Sequence, residues 1–230
     1  MRRNESRAET INANIIKICG LTTEHCVECC LAAGVQTVGL NFYQPSPRAI
    51  SIETAKQLRK RLPASMQVVG VFVRPTAEEL LRTVQEVGLD VVQLHGTEDT
   101  YWRDFVPPPV PLWLAQGIES LTDVEQLKTQ MKLCRAMNVA VSALLVDAKF
   151  SGKHGGTGQL APWHLLQETT WDLPVVLAGG LEPGNVRMAI DQVKPSGVDV
   201  ASGVESSPGV KDGTKVAQFV RNARSAYLHL

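Results

Sequence analysis

The feature that most constrains this chain is an eightfold alternation. Short apolar runs lie over 15–19, 36–40, 67–73, 91–94, 112–115, 143–147, 175–178 and 198–201. Each is followed by a stretch of helical periodicity, over 24–33, 52–62, 77–87, 98–105, 123–137, 163–168, 183–192 and 216–227. Near-continuous apolar strands alternating with helices predict a parallel sheet covered by helices on its outer face. Eight such units in about 215 residues fit a closed (β/α)8 TIM barrel better than an open sheet. The expected organisation is a single α/β barrel domain over 14–230. A polar segment, 1–13, precedes it; having no apolar run, it reads as a flexible N-terminal extension rather than a secretory signal.

Side chains alternate along a strand, so the period-two pattern assigns faces. Ile16 and Ile18 are expected to face the helices, leaving Lys17 and Cys19 to point into the barrel. The same alternation turns Gln93, His95, Leu145, Asp147 and Asp199 inward. Buried polar groups must be paired, and the first and eighth strands of a closed barrel are neighbours. A buried Lys17–Asp199 ion pair is therefore expected, with a structural role weighing more than a chemical one. Active sites of this fold lie at the C-terminal strand ends. Cys19, His95 and Asp147 each close a strand, whereas Lys17 and Asp199 lie deeper.

The 23 basic and 23 acidic residues cancel, so no net charge draws the protein to nucleic acid or to an anionic membrane. No apolar run nears the ~18 residues that span a bilayer. The five cysteines, an odd number without a secretion signal, suggest reduced thiols and a cytoplasmic location. Cys26-x-x-Cys29 lacks a second ligand pair for zinc. Cys26, Cys29, Cys30 and Ala33 instead fall on one helix face and read as packing.

Two glycine-rich segments follow the seventh and eighth strands: Ala178-Gly179-Gly180-Leu181 and Ala201-Ser202-Gly203-Val204-Glu205. Barrels of this type bind phosphate there, through backbone N–H groups and a short extra helix. A third, Gly155-Gly156-Thr157-Gly158, is open to three readings: a lid, a second anion nest, or a plain loop. Cys19 and Asp147 form the candidate acid–base pair, a thiolate to take a carbon-bound proton and a carboxylic acid to protonate a departing oxygen. Read in isolation, a strand-end cysteine is more often packing than chemistry.

The segment Lys17-Ile18-Cys19-Gly20-Leu21-Thr22 resembles the opening signature of the phosphoribosylanthranilate isomerases of tryptophan biosynthesis. The resemblance continues in order through Phe42-Tyr43-Gln44-Pro45-Ser46-Pro47-Arg48, Val91-Val92-Gln93-Leu94-His95-Gly96 and Leu145-Val146-Asp147. It closes with Leu177-Ala178-Gly179-Gly180-Leu181, the segment from Gly197 to Glu205, and Pro208-Gly209-Val210-Lys211-Asp212. It implies an Amadori rearrangement of N-(5-phosphoribosyl)anthranilate with Asp147 as general acid and Cys19 as general base. It also implies Arg48 as the partner of the anthranilate carboxylate, His95 as a pocket residue or a satisfied core histidine, and Gly179, Gly180, Ser202 and Gly203 as the phosphate cradle. No metal or redox cofactor is implied, and the expected partner is a small sugar phosphate, with the chain as monomer or homodimer.

Two departures stand out. Ala201 occupies a position where the family often has serine, and Arg74-Pro75 follows Val73 where asparagine is common. The histidine-pathway isomerase would need an aspartate where Cys19 stands, and a metal-dependent epimerase would need more strand-end ligands than His95 and Asp147. A non-catalytic sugar-phosphate binder is disfavoured by the presence of both Cys19 and Asp147.

Overall fold

The structure is a computed structural model that describes residues 14–96, 101, 105–147 and 163–230. The extension over 1–13, the glycine segment 155–158 and most of the helix expected over 98–105 lie outside the described residues. The strands are β1 (Ile15–Cys19), β2 (Thr37–Asn41), β3 (Gln67–Val73), β4 (Val91–His95), β5 (Leu112–Gly117), β6 (Val141–Asp147), β7 (Val175–Ala178) and β8 (Gly197–Val200). They pair in chain order into a closed barrel, and β1 pairs with β8 to complete the ring. The helices are α1 (Glu24–Ala32), α2 (Ile52–Arg61), α3 (Ala77–Val87), α4 (Leu121–Ala136), α5 (Trp163–Gln167), α6 (Val186–Val193) and α7 (Gly213–Tyr227). The TIM-barrel expectation holds.

Local chemistry explains the helix ends. Thr76 and Glu79 form a reciprocal capping box at the start of α3, and Gly88 closes it in the left-handed conformation. Ser120 and Asp123 do the same for α4. The expected start of α6 at 183 is three residues early. Asn185 accepts from the Glu182 amide and donates to the Gly180 carbonyl, so 182–185 belongs to a turn. The last helix starts earlier than the expected 216, because the Asp212 carboxylate accepts from the Thr214 and Lys215 amides and caps it.

Apolar side chains form two layers. Val69, Val91, Trp113, Ala115, Leu145 and Val176 fill the barrel interior, while Ile18, Leu40, Val68, Leu94 and Val198 pack between strands and helices. The inward face assigned to Leu145 and the outward faces assigned to Ile18, Leu94 and Val198 are those observed. Cys26, Cys29 and Cys30 are buried on α1 as packing residues, and Cys134 is buried on α4. Ala33, expected on the same buried face of α1, is its half-buried C-cap. Among the described residues no helix is long and apolar enough to cross a membrane. One element was not foreseen: after a 3-10 turn over Ser202–Val204, a small hairpin of β9 (Glu205–Ser207) and β10 (Val210–Lys211) projects from the end of β8.

Candidate active site

The bottom of the site is an ion pair. Register places Lys17 on β1 directly beside Asp199 on β8. Lys17 is fully buried, and its Nζ donates to Asp199 Oδ1 at 2.8 Å. Burial works to lower the Lys17 ammonium, but Asp199 and, after it, Cys19 together outweigh burial and hold the group above its ordinary pKa. Removing one partner alone would strand the other charge, at a cost of about 3–5 kcal/mol.

Two residues further along β1, Cys19 ends the strand with 8% of its surface exposed. Burial pushes its thiol up, and the Lys17 charge pulls in the opposite direction without overcoming it. At neutral pH the thiol is therefore protonated. Across the strand pair stands Gly39. A Cβ there would lie 2.7 Å from Cys19 Sγ and 3.2 Å from Lys17 Cε, so the missing side chain is the space these two groups occupy.

On β4, Gln93 and His95 also face inward, and Gln93 Nε2 lies 2.8 Å from His95 Nε2. Burial first, and Lys17 second, hold the imidazole down to about 4. It is thus neutral, and its Nε2 accepts from the Gln93 amide. The unfolded chain binds this proton near pH 6.5 and the folded chain only near pH 4. Stability is therefore complete above pH 6.5 and falls as the pH drops through this window, by up to roughly 3 kcal/mol. Urea unfolding at pH 7 and pH 4.5 checks this. His95→Gln should lose less stability across the interval than the parent chain, and equal losses would contradict the assignment.

Asp147 ends β6 between Gly117 on β5 and Ala178 on β7. In the ring order β1-β8-β7-β6 it stands three strands from Cys19, so the two groups flank the mouth rather than touch as neighbours. The loop from β2 to α2 carries Arg48. Asn41 Oδ1 accepts from the Tyr43 amide, Ser46 Oγ accepts from the Arg48 amide, and Ile50 N returns to the Asn41 carbonyl. The loop brings Arg48 over Gly20, where a Cβ would meet its side chain at 2.5 Å.

Arg48 is not a loose arginine. Its Nε and Nη2 donate to Glu205 Oε1 and Oε2 at 2.8 and 2.7 Å, a bidentate fork. Glu205 also accepts from the buried Lys211 Nζ at 2.8 Å. Against the pull of burial, these two cations hold the Glu205 carboxyl below its usual range. Two cations on one carboxylate leave a net positive charge beside the mouth. Glu205 and Lys211 lie within family-like segments of the sequence, and no role is expected of either from the sequence alone. Their signal was a charged residue at either end of the short segment that folds into the β9–β10 hairpin.

The two glycine loops meet. Gly179 and Gly180 adopt φ of +94° and +64°, which turns the chain sharply after β7. Gly203 packs against the Leu181 carbonyl so closely that any Cβ would collide with it. Ser202 and Gly203 open the 3-10 turn at the end of β8. A cavity of about 540 Å³ lined by Phe42, Phe72, Arg74 and Arg82 holds none of the expected catalytic side chains. Phe72 belongs to the layer between strands and helices, so that cavity lies outside the barrel interior.

A closed ring of eight parallel strands, with an inward thiol and an inward carboxyl group at its C-terminal mouth above a buried ion pair, places the protein in the (β/α)8-barrel class. Residues 16–222 match the family description N-(5'-phosphoribosyl)anthranilate (PRA) isomerase. The chain belongs to this family. A relative from Magnetococcus marinus named N-(5'-phosphoribosyl)anthranilate isomerase is 42% identical over 211 residues, covering 92% of this chain and 95% of its own. The solved phosphoribosyl anthranilate isomerase of Thermotoga maritima superposes with a TM-score of 0.79 at 33% identity, covering 92% of this chain and 98% of that one. A solved phosphoribosyl anthranilate isomerase in complex with reduced 1-(o-carboxyphenylamino)-1-deoxyribulose 5-phosphate superposes at 0.72, also with 33% identity and the same coverage.

Proposed function

We propose that this protein isomerises N-(5'-phosphoribosyl)anthranilate to 1-(o-carboxyphenylamino)-1-deoxyribulose 5-phosphate, a step of tryptophan biosynthesis. The observation that carries the reading is the opposition of Cys19 and Asp147 at the ends of β1 and β6, on inward faces of one mouth. The substrate is a sugar phosphate, and the reaction moves protons within one molecule. Asp147 gives its proton to the furanose ring oxygen as the C1–O bond breaks, and the anthranilate nitrogen supplies the electron pair that makes the iminium. Cys19, as thiolate, takes the proton from C2. The electrons of that C–H bond form the C1–C2 double bond of an enolamine. Proton return to C1 and loss of the 2-hydroxyl proton then yield the ketone. C2 is oxidised and C1 reduced, so the balance closes internally.

Binding follows the two ends of the substrate. Gly179, Gly180, Ser202 and Gly203 hold the phosphate through backbone N–H groups. Arg48 meets the anthranilate carboxylate; with Nε and Nη2 engaged by Glu205, its free edge is Nη1. Glu205 fixes the plane of the guanidinium, and Lys211 keeps the cluster net positive. His95 lines the inner wall as a neutral hydrogen-bonding group.

The test is a fluorescence assay with freshly prepared phosphoribosylanthranilate, run beside the histidine-pathway substrate. Turnover of the first is expected; turnover of neither would discard the reading. In the same assay Arg48→Ala should raise KM with a smaller change in kcat, since the carboxylate contact persists from ground state to transition state. An unchanged KM would remove Arg48 as the anchor.

A further inference from the structure

Most of the barrel interior is filled by apolar side chains, yet one layer holds a lysine with no exposed surface. A buried ion pair adds little stability over an apolar pair of similar volume, so packing alone does not account for it. Its placement is informative. Lys17 and Cys19 lie two residues apart on the same inward face of β1. Their side chains share the space left open over Gly39, with Sγ and Cε both near the point where a Cβ would stand. That holds Sγ within about 6 Å of Cε, and the ammonium one bond beyond Cε reaches the sulfur as a side-chain hydrogen-bond partner, inside the range over which an opposite charge acts strongly on an ionising group. Asp199 fixes the ammonium end at 2.8 Å.

We infer that Lys17 is a positioning residue for the isomerisation: kept charged by Asp199 beneath the site, it stabilises the thiolate of Cys19 and so sets the fraction of enzyme able to take the C2 proton. The inference rests on the reading of Cys19 as the base. Other groups face the same sulfur from the surrounding elements. Asp199 on β8 opposes the thiolate, Lys211 on β10 favours it, and Arg48 in the loop after β2 is coupled to it through charge alone. His95 on β4 is neutral, and Glu205 is paired with Arg48 and Lys211. Among these charges Lys17 has the largest effect on the thiol, exceeding that of Asp199. The ion pair therefore acts on Cys19 as a net positive charge. Gly39 is part of the device, because any side chain there would part the lysine from the thiol.

The experiment follows the ultraviolet absorbance of the thiolate with pH, as the difference between each protein and its Cys19→Ser counterpart, beside the pH profile of kcat/KM. In Lys17→Met both the Cys19 titration and the rising limb of kcat/KM should move up by about one to three pH units. Turnover at neutral pH should fall tenfold or more, and Lys17→Arg should restore both profiles towards the parent. If Lys17→Met does not fold, Lys17→Met combined with Asp199→Asn carries the test. It leaves no buried unpaired charge, and the expected shift has the same sign and a smaller size. A thiolate titration unmoved in the folded variant would make Lys17 purely structural and overturn the inference, whatever happens to kcat. Full turnover in Cys19→Ser itself would overturn both the base assignment and the inference, and that result is read without altering Lys17.

Discussion

Cys19→Ser should lower kcat by about 100- to 10,000-fold, the usual contribution of a positioned acid or base, while the protein stays folded. The substitution exchanges one atom for a smaller one in a site that Gly39 already leaves open, so packing barely changes. The chemistry changes more, because a serine hydroxyl does not ionise in the range where the thiol does and cannot accept the C2 proton. Asp147→Asn should cause a loss of the same order for the complementary reason, since an amide has no acidic proton for the ring oxygen. Steady-state fluorescence kinetics on both variants, with circular dichroism to confirm the fold, decides the matter. Wild-type kcat in Cys19→Ser would remove the thiol from the mechanism, and wild-type kcat in Asp147→Asn would remove the acid.

Gly203→Ala should damage stability and substrate binding together. Its Cβ would drive into the Leu181 carbonyl and stand 3.0 Å from the Glu182 Cα, and both obstacles are backbone. The loop after β7 and the turn after β8 must then separate, at an overpacking cost of about 1–3 kcal/mol. If these two loops form the phosphate cradle, their separation also raises KM and weakens inhibition by inorganic phosphate. Gly180→Ala is the informative contrast. No atom lies within 4 Å of a Cβ there, and the penalty is the φ of +64° alone, about 1–2 kcal/mol. A Gly203→Ala protein with unchanged melting temperature and unchanged phosphate inhibition would show that the loops are not coupled.

How far the site was legible differs residue by residue. The Lys17–Asp199 pair was readable because two local facts sufficed: alternation turned both side chains inward, and closure of the barrel made β1 and β8 neighbours. Cys19 and Asp147 were readable as mouth residues because each ends its strand. The fork on Arg48 was not. It depends on where the β9–β10 hairpin swings after the 3-10 turn, and residues 48 and 205 meet across 157 positions of chain. The true start of α6 was missed because Asn185 satisfies a turn instead of a helix end, a choice made by its neighbours Gly180 and Glu182.

The sequence by itself determined the barrel, its inward faces and the candidate acid and base, because strand period, helix period and chain order are properties of nearest neighbours along the chain. Beyond the Lys17–Asp199 pair, tertiary structure alone decided which charged groups meet: Glu205 on Arg48, Lys211 on Glu205, and the thiol and lysine sharing the space over Gly39. Those contacts join distant segments in three dimensions, and the energies that select them come from burial and pairing, which no local pattern encodes.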